Sequence, residues 1–462
     1  MNHMMQKTHV DLSNQLSIHV VGIGGAGMRA IALVLSSMGN SVSGSDLKSS
    51  PGLDRLLAER IQVTIGHSRE NIGQVDLVTR STAVSDSNIE IKEALLRGIP
   101  VASRAEILSA ITRTKSTVSV AGTHGKTTTS SMLAVLLAQA GLDPSFIIGG
   151  EVNEIGCGAL WEEHSEILVV EADESDGTFL DLDSDYAIVT NLEPDHLGFY
   201  GGESGLRSAF QSFLGKVANK SFVCADDSGL MSVVGSSDVV TYGVNPNSDY
   251  LITGYKGSRS GSKFSLRSPH EELGEFVLAT PGIYNVRNAT AALAFGHYFG
   301  ADINLLRQGL AQFGGVARRF HFRGEKNDVA FIDDYAHLPT EVSSILQAVK
   351  EGDWGRIICV FQPHRYTRTN DLWKDFSHSF EDADVLFITD IFAAGEAPMP
   401  GVSGRLIVDA VRGAFPQKLI MYCDHREELI AQIRTVISPG DVCLTLGAGD
   451  ITTLPNELML GD

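Results

Sequence analysis

Residues 122–128 read Gly122-Thr123-His124-Gly125-Lys126-Thr127-Thr128, with glycines, a lysine and hydroxyls in the order that holds a polyphosphate. Between a strand and a helix, the backbone N–H groups of such a loop and the positive helix N-terminus cradle phosphate oxygens. Lys126 is placed to reach the terminal phosphates, and Thr127 to ligate Mg²⁺. The two glycines stand about two residues closer than in the usual GxxxxGK[ST], so the loop is a shortened one. A second cluster, Gly22-Ile23-Gly24-Gly25-Ala26-Gly27, supplies GxGxxG with Asp46 about 20 residues further on. That pattern offers amides to a pyrophosphate and a carboxylate to a ribose diol, which a UDP-sugar presents as readily as a nicotinamide dinucleotide.

Acidic groups gather after two apolar runs. Glu171-Ala172-Asp173-Glu174-Ser175-Asp176 follows residues 167–170, and Asn191-Leu192-Glu193-Pro194-Asp195-His196 follows residues 187–190. At the carboxyl ends of parallel strands, Glu171 and His196 would converge on the metal held by Thr127, although one imidazole is an unusual partner for hard Mg²⁺. Further on, Asp333-Asp334-Tyr335-Ala336-His337 follows the apolar run 329–332, and Pro363-His364-Arg365-Tyr366-Thr367-Arg368-Thr369 follows 357–361. Arg365 and Arg368, three apart, could clamp a carboxylate or a phosphate through their planar guanidinium forks.

These residues need strands that end at them and helices that start beside them. Apolar runs predict strands at 18–21, 41–45, 62–65, 77–79 and 101–102, with helices at 28–38 and 88–97, which is a parallel α/β unit. A second unit has strands at 116–121, 167–170 and 187–190 and a helix at 127–139 closed by Gly141. Residues 226–275, rich in Ser, Gly, Tyr and Val, read as irregular or antiparallel β at a sheet edge, ahead of a helix at 286–299. A third unit alternates helices with strands at 329–332, 357–361, 385–388, 418–422 and 441–446. The expected architecture is α/β in three domains, spanning 1–113, 114–316 and 317–462.

Composition agrees with that count, since 462 residues at roughly 150 per domain allow about three domains. The 47 glycines exceed the usual share of roughly 7%, as two phosphate-facing turns require. With 36 basic against 56 acidic side chains, the net charge of −20 excludes a general nucleic-acid or anionic-membrane surface, so an anionic ligand must meet a local positive pocket. The N-terminal stretch lacks the apolar core of a signal peptide, and no apolar run approaches the roughly 18 residues of a membrane span, which reads as a cytoplasmic protein without membrane partners. Cys157, Cys224, Cys359, Cys423 and Cys443 are scattered and form no CxxC, so they are expected to be buried free thiols.

The motifs together resemble the Mur ligases of bacterial cell-wall synthesis. The resemblance runs through Val21 to Met28, Gly122 to Thr129, Glu171 to Asp176, Asn191 to His196, Gly282 to Asn288, Arg318-Arg319-Phe320, Asp333 to Thr340 and Phe361 to Thr369, and so covers nearly the whole chain. It implies an N-terminal Rossmann-like domain holding a UDP-sugar, a central phosphate-loop ATPase domain with a mixed sheet, and a Rossmann-like C-terminal domain that closes to bring in an amino acid. It implies ATP and Mg²⁺, with UDP-N-acetylmuramate and L-alanine as substrates of a monomer or homodimer. The muramate carboxylate would attack the γ-phosphate, and the amine would displace phosphate from the acyl phosphate.

Carried over residue by residue, the ATP loop is Gly122, Thr123, His124, Gly125, Lys126, Thr127 and Thr128, with Asn288 at the adenine and Arg319 and Asp334 completing the nucleotide site. Thr127, Glu171 and His196 would hold magnesium. Gly22, Gly24, Gly25, Gly27, Asp46, His67, Ser81, Thr82 and Arg104 would face the UDP-sugar. Tyr335, His337, Arg365 and Arg368 would form the amino-acid pocket, with His337 as the proton acceptor for the attacking amine. Two departures from relatives stand out. Tyr335-Ala336-His337-Leu338-Pro339 replaces the usual Tyr-Gly-His-His-Pro, so no role transfers to a second histidine. Near Phe210-Gln211-Ser212-Phe213 there is no lysine to be carbamylated, as expected of the alanine-adding branch. The rival readings are a recycling ligase that adds a tripeptide to the same UDP-sugar, a nicotinamide-dependent oxidoreductase built on the first glycine cluster, and a phosphate-loop switch that hydrolyses ATP without ligation.

Overall fold

The computed structural model describes residues 8–50, 52–152 and 157–460. Its first segment comprises β1 (Ser17–Val21), α1 (Ala26–Ser37), β2 (Ser41–Asp46), α2 (Leu53–Ala58), β3 (Gln62–Ile65), β4 (Leu77–Arg80), α3 (Ile89–Leu96), β5 (Val101–Ser103) and α4 (Arg104–Thr112). The five strands pair in parallel in the order β3-β2-β1-β4-β5. The order reverses between β1 and β4, and a ligand crevice opens outside the carboxyl ends of the strands at such a switch point. Local sequence fixes the helix starts. The Asn88 side chain accepts from the amides of Glu90 and Ile91, and Ser103 forms a capping box with Glu106.

Under this sheet lies a buried carboxylate. Glu90 is fully buried and accepts hydrogen bonds from Ser45 Oγ at 2.5 Å, Asn71 Nδ2 at 2.5 Å and the Ser68 amide at 3.2 Å. Burial alone would raise its pKa, but the hydrogen bonds from His19, Ser45, Asn71 and Ser68 outweigh it and bring the pKa down to about 2. A depressed carboxylate pKa stabilises the fold above its unfolded value near 4.5, and that stability is lost as pH falls toward 2. Glu90→Gln is therefore expected to destabilise this segment by about 3 kcal/mol at pH 7, with the deficit shrinking to about half by pH 3. Hydrogen exchange of peptides from residues 17–112, measured at both pH values in both proteins, checks it; an equal deficit at the two pH values would refute the account.

The second segment comprises β6 (Ser116–Ala121), α5 (Lys126–Gln139), β7 (Ser145–Val152), β8 (Cys157–Leu160), β9 (Ile167–Glu171), β10 (Tyr186–Val189), α6 (Leu197–Tyr200), α7 (Glu203–Leu214), β11 (Lys220–Cys224), α8 (Ser228–Met231), β12 (Val239–Gly243), β13 (Tyr250–Ser258), β14 (Gly261–Arg267), β15 (Glu272–Leu278), α9 (Ile283–Tyr298) and α10 (Ile303–Gln312). Its ten strands run in the order β15-β14-β13-β12-β11-β10-β6-β9-β7-β8. β6 sits inside the sheet, paired in parallel with β10 and β9. Residues 226–275 supply the strands at one edge of this sheet, as expected, with β15 outermost; the departure is β12, which pairs in parallel with both β11 and β13. Asp249 pins the short β12–β13 connection by accepting from the amide and the hydroxyl of Thr241, each at 2.7 Å.

The third segment comprises β16 (His321–Lys326), β17 (Val329–Asp334), α11 (Pro339–Lys350), β18 (Ile357–Phe361), α12 (Tyr366–Leu372), β19 (Val385–Ile388), α13 (Arg405–Ala414), β20 (Leu419–Tyr422), α14 (Arg426–Val436), β21 (Val442–Leu446) and α15 (Leu454–Leu460), with sheet order β16-β17-β21-β18-β19-β20. Only β16 pairs antiparallel here. Alternate residues of β18 feed two cores. Ile357, Cys359 and Phe361 pack with Leu346, Phe376 and Phe380, whereas Ile358 and Val360 pack with Phe387, Leu429 and Leu454. Covering both faces is what a parallel sheet of near-continuous apolar strands demands.

The chain separates into two compact units, one holding residues up to Thr253 with Leu266–Gly274 and Arg287–Leu310, the other holding Gly254–Ser265, Glu275–Val286 and the chain from Ala311. All five cysteines are buried and free, as expected. Among the described residues no helix is long and apolar enough to cross a membrane.

Candidate nucleotide and substrate site

The phosphate loop joins β6 to the 14-residue helix α5, which starts at Lys126. Gly122 (φ +132°) lies where only glycine fits: a Cβ there would stand 2.1 Å from Thr190 Oγ1 and 3.1 Å from the Asn191 amide nitrogen. The segment after β10 props the loop from below. The His124 amide donates to Asn191 Oδ1 at 2.8 Å, Thr123 Oγ1 donates to the Glu193 carbonyl at 3.2 Å, and His124 Nε2 faces Glu193 at 3.2 Å. Asn288, on α9, abuts the loop; a Cβ on Gly125 would lie 2.7 Å from its Oδ1.

Lys126 is 13% exposed, and its Nζ donates to the Gly122 carbonyl at 2.7 Å and to Glu174 Oε2 at 2.6 Å. Burial alone would depress its pKa, but the charges of Glu174, Asp173 and Glu171 outweigh that and hold it above the ordinary lysine value, so Lys126 carries its charge throughout the physiological range. Thr127 Oγ1 donates to Glu171 Oε1 at 3.0 Å, while Glu171 Oε2 accepts from the Gly149 amide at 2.7 Å. A hydroxyl beside a carboxylate suits Mg²⁺, which takes oxygen ligands and fills its other positions with water and phosphate oxygens. His196, the third expected ligand, has φ +53° and pairs with Asp195 at 3.2 Å. Among the described residues no three His, Cys, Asp or Glu side chains form a metal cage.

At the N-terminal sheet, the expected UDP-sugar residues gather at strand ends. Gly22 follows β1, and a Cβ there would lie 3.1 Å from the Ser81 Cβ beyond β4, where Thr82 is exposed. Asp46, ending β2, accepts from the Gly24 amide at 2.8 Å. Arg104 opens α4 and lies over Gly27, where a Cβ would meet its Nε at 3.1 Å. Gly25 caps α1. His67 bonds inward, with Nδ1 at 3.0 Å from Ser45 Oγ and 3.3 Å from Glu90.

In the third segment, Asp334 is buried at the end of β17 and accepts from the Phe320 and Ala336 amides at 2.6 and 2.7 Å. Burial lifts its carboxyl to about 6 against the pull of Arg319. The Arg318 and Arg319 guanidinium groups lie 4.8 and 4.9 Å from the Tyr335 ring, in a segment where Arg318 and Phe320 have positive φ. His337 Nδ1 lies 3.0 Å from the Tyr335 carbonyl, an acceptor, so Nδ1 carries the proton and Nε2 the lone pair. The His337 ring is 5.7 Å from that of His364, whose Nδ1 accepts from Arg368 at 3.0 Å. Burial first, then the neighbouring His337, Arg368 and Arg365, push His364 down to about 4, so it is neutral at pH 7. Arg365 holds φ +68°, and its amide donates to the Phe392 carbonyl at 2.9 Å. Strain of this kind concentrates where function requires it.

The sequence reading passed over Glu174, Glu193 and Arg318. All three stand inside or beside motifs already singled out, but which acid of Glu171 to Asp176 meets Lys126 is decided by tertiary placement.

A shortened phosphate loop inside a parallel sheet, beside an oxygen pair suited to Mg²⁺, together with a second glycine turn at a switch point, defines a nucleotide-handling α/β protein of three sheets. Three family models match along the chain: the Mur ligase family, catalytic domain, at residues 17–116, the Mur ligase middle domain at 120–296, and the Mur ligase, glutamate ligase domain at 318–449. The UDP-N-acetylmuramate--L-alanine ligase of Anaeromyxobacter sp. (strain Fw109-5) is 43% identical, with 97% of this chain and 98% of that protein covered. The protein of the same name from Geobacter sp. (strain M21) is 41% identical over 96% and 97%. The crystal structure of the UDP-N-acetylmuramate-alanine ligase of Thermotoga maritima superposes with a TM-score of 0.78 at 30% identity, covering 96% of this chain and 98% of that one. The chain belongs to the Mur ligase family.

Proposed function

We propose that this protein joins L-alanine to the carboxylate of UDP-N-acetylmuramate at the expense of ATP, giving ADP, phosphate and UDP-N-acetylmuramoyl-L-alanine, a peptidoglycan precursor. The observation that carries it is similarity over nearly the whole chain to proteins named for that reaction, on a chain that holds Lys126 in a phosphate loop. The domain edges are assigned at 113/114 and 316/317, and the protein acts in the cytoplasm as a monomer or homodimer.

The muramate carboxylate attacks the γ-phosphorus, the bond to ADP breaks, and an acyl phosphate forms. L-Alanine's neutral amine then attacks the acyl carbon, and the tetrahedral intermediate expels phosphate. A carboxylate approaching a polyphosphate is repelled, and Lys126 with the loop amides offsets that charge while holding the reactants in line. Thr127, Glu171 and His196 would hold Mg²⁺, which would supply further charge neutralisation on the phosphates. Asn288, Arg319 and Asp334 orient the nucleotide, and the turn from Gly22 to Gly27 with Asp46, Ser81, Thr82 and Arg104 holds the UDP-sugar. Tyr335, Arg365 and Arg368 receive the amino acid, and His337 Nε2 takes the amine's proton, a use supported by the tautomer that the Tyr335 carbonyl imposes.

Phosphate release with ATP and UDP-N-acetylmuramate, assayed separately with L-alanine, glycine, L-serine and the recycled tripeptide, tests the reading. L-Alanine is expected to give the highest kcat/KM. A preference for the tripeptide would reassign the protein to the recycling reaction, and phosphate release without any amino acid would reduce it to an ATPase.

A further inference from the structure

Lys126 donates to the Gly122 carbonyl at 2.7 Å, to the Thr123 carbonyl at 3.4 Å and to Glu174 at 2.6 Å, which engages all three N–H bonds of an ammonium within its own loop and one carboxylate. Glu174 is only 2% exposed and faces Lys126, while the metal-suited oxygen pair is made by Thr127 and Glu171 instead. The acidic loop that carries Glu174 is tied from several sides. Tyr200 donates its hydroxyl to the Glu174 carbonyl, Asp173 and Asp176 accept from the Ser175 and Thr178 amides, and Arg104 faces Asp176 at 3.5 Å and Asp173 at 4.0 Å. Glu174 is therefore aimed, and what it is aimed at is the cation that must meet the nucleotide.

Burial lifts the Glu174 carboxyl to about 7 against the pull of Lys126, so above that pH a single carboxylate and a polyphosphate compete for the same ammonium. The phosphates carry more charge and win, but the affinity they gain is reduced by what the carboxylate already held. The carboxylate also fixes the Nζ position before the nucleotide arrives and recaptures it as ADP leaves, so its charge should weaken ATP binding and speed turnover. We propose that Glu174 is a positioning residue that holds Lys126 in the phosphate loop and competes with ATP for it, exchanging nucleotide affinity for turnover. The inference rests on the reading that Lys126 meets the ATP phosphates.

The test uses the full-length protein at about pH 8.5, where Glu174 is ionised, and two variants, Glu174→Gln, which removes the charge at equal size, and Glu174→Asp, which keeps the charge and shortens the reach. Binding of a β,γ-imido analogue of ATP with Mg²⁺ is followed by calorimetry, and kcat is measured with saturating UDP-N-acetylmuramate and L-alanine. In Glu174→Gln the analogue is expected to bind about five- to tenfold tighter while kcat falls about tenfold. In Glu174→Asp the affinity is expected to return to within about twofold of the parent while kcat stays reduced. A glutamate that merely braced the loop would weaken binding in both variants. Unchanged or weaker binding in Glu174→Gln, or unchanged kcat, overturns the inference; if that variant does not fold, parental kcat in Glu174→Asp overturns it alone. Failure of the parent protein to bind the analogue would instead remove the phosphate-loop reading itself.

Discussion

Replacing Lys126 by methionine is expected to lower kcat/KM for ATP about 10³-fold, equivalent to about 4 kcal/mol of transition-state stabilisation. Lys126 is the first residue of α5, so its ammonium and the amides at the helix start act on the same phosphates. Methionine keeps most of the apolar stem and removes the ammonium, with its charge and its bonds to Gly122, Thr123 and Glu174. The attacking carboxylate, itself an anion, must then approach a polyphosphate with one fewer fixed cation beside it. Removing one such preorganised group costs about 10²- to 10³-fold in well-studied cases, and more when it serves a phosphoryl transfer. Arginine is not expected to rescue, because its planar fork cannot reproduce the compact bonds that Lys126 makes to Gly122 and Thr123. The substitution also leaves Glu174 buried without its cation, at a stability cost of up to about 3 kcal/mol that a thermal melt will register separately. Activity within tenfold of the parent in a folded Lys126→Met protein would exclude Lys126 from the chemistry.

Gly122→Ala should abolish measurable ATP binding, a loss of about 100-fold or more, and lower stability by about 3 kcal/mol. Two effects combine. A φ of +132° is a conformation that residues with a Cβ rarely adopt, and the added carbon would stand 2.1 Å from Thr190 Oγ1. Thr190 cannot rotate that oxygen away freely, because it donates to the carbonyls of Ala121 and His124. The loop must shift, and the amides that cradle phosphate shift with it. The combined variant Gly122→Ala, Thr190→Ala removes the collision and keeps the backbone strain, so it should recover part of the affinity, and the two changes should not add. Nucleotide titration of Gly122→Ala, Thr190→Ala and the combined variant checks this; near-parental affinity in Gly122→Ala alone would show that the loop is not the phosphate cradle.

Much of this arrangement was legible in the residues themselves. Glycine turns after apolar strands located both glycine loops, and the spacing from Gly24 to Asp46 put a carboxylate near the first of them, where the fold bonds it to the Gly24 amide at 2.8 Å. Strand 357–361 was legible because burial on both faces leaves an unbroken apolar run. The edge strand His321–Lys326 was missed for the opposite reason. It has one neighbour and no fully buried residue, so it carries no apolar pattern. The strands within 226–275 were recognised as β at a sheet edge, but the parallel pairing of β12 was not, since a parallel pair joined by a few residues has no local signature beyond a side chain such as Asp249. Glu174 escaped because Glu171, Asp173, Glu174 and Asp176 are equivalent as residue types, and only the path of the loop after β9 decides which one reaches Lys126.

The five buried thiols have a practical consequence. Burial raises the pKa of Cys224 and Cys423 to about 11 and of Cys443 to about 12, and that of Cys359 higher still, so none of these four offers a thiolate at neutral pH. Those four are expected to be silent toward maleimides, and Cys157 is buried as well. A single cysteine introduced on an exposed helix face would be the unique attachment point for a probe, with no need to remove the native ones and disturb the sheets they pack in. One such handle on each of two segments would turn the enzyme into its own molecular ruler.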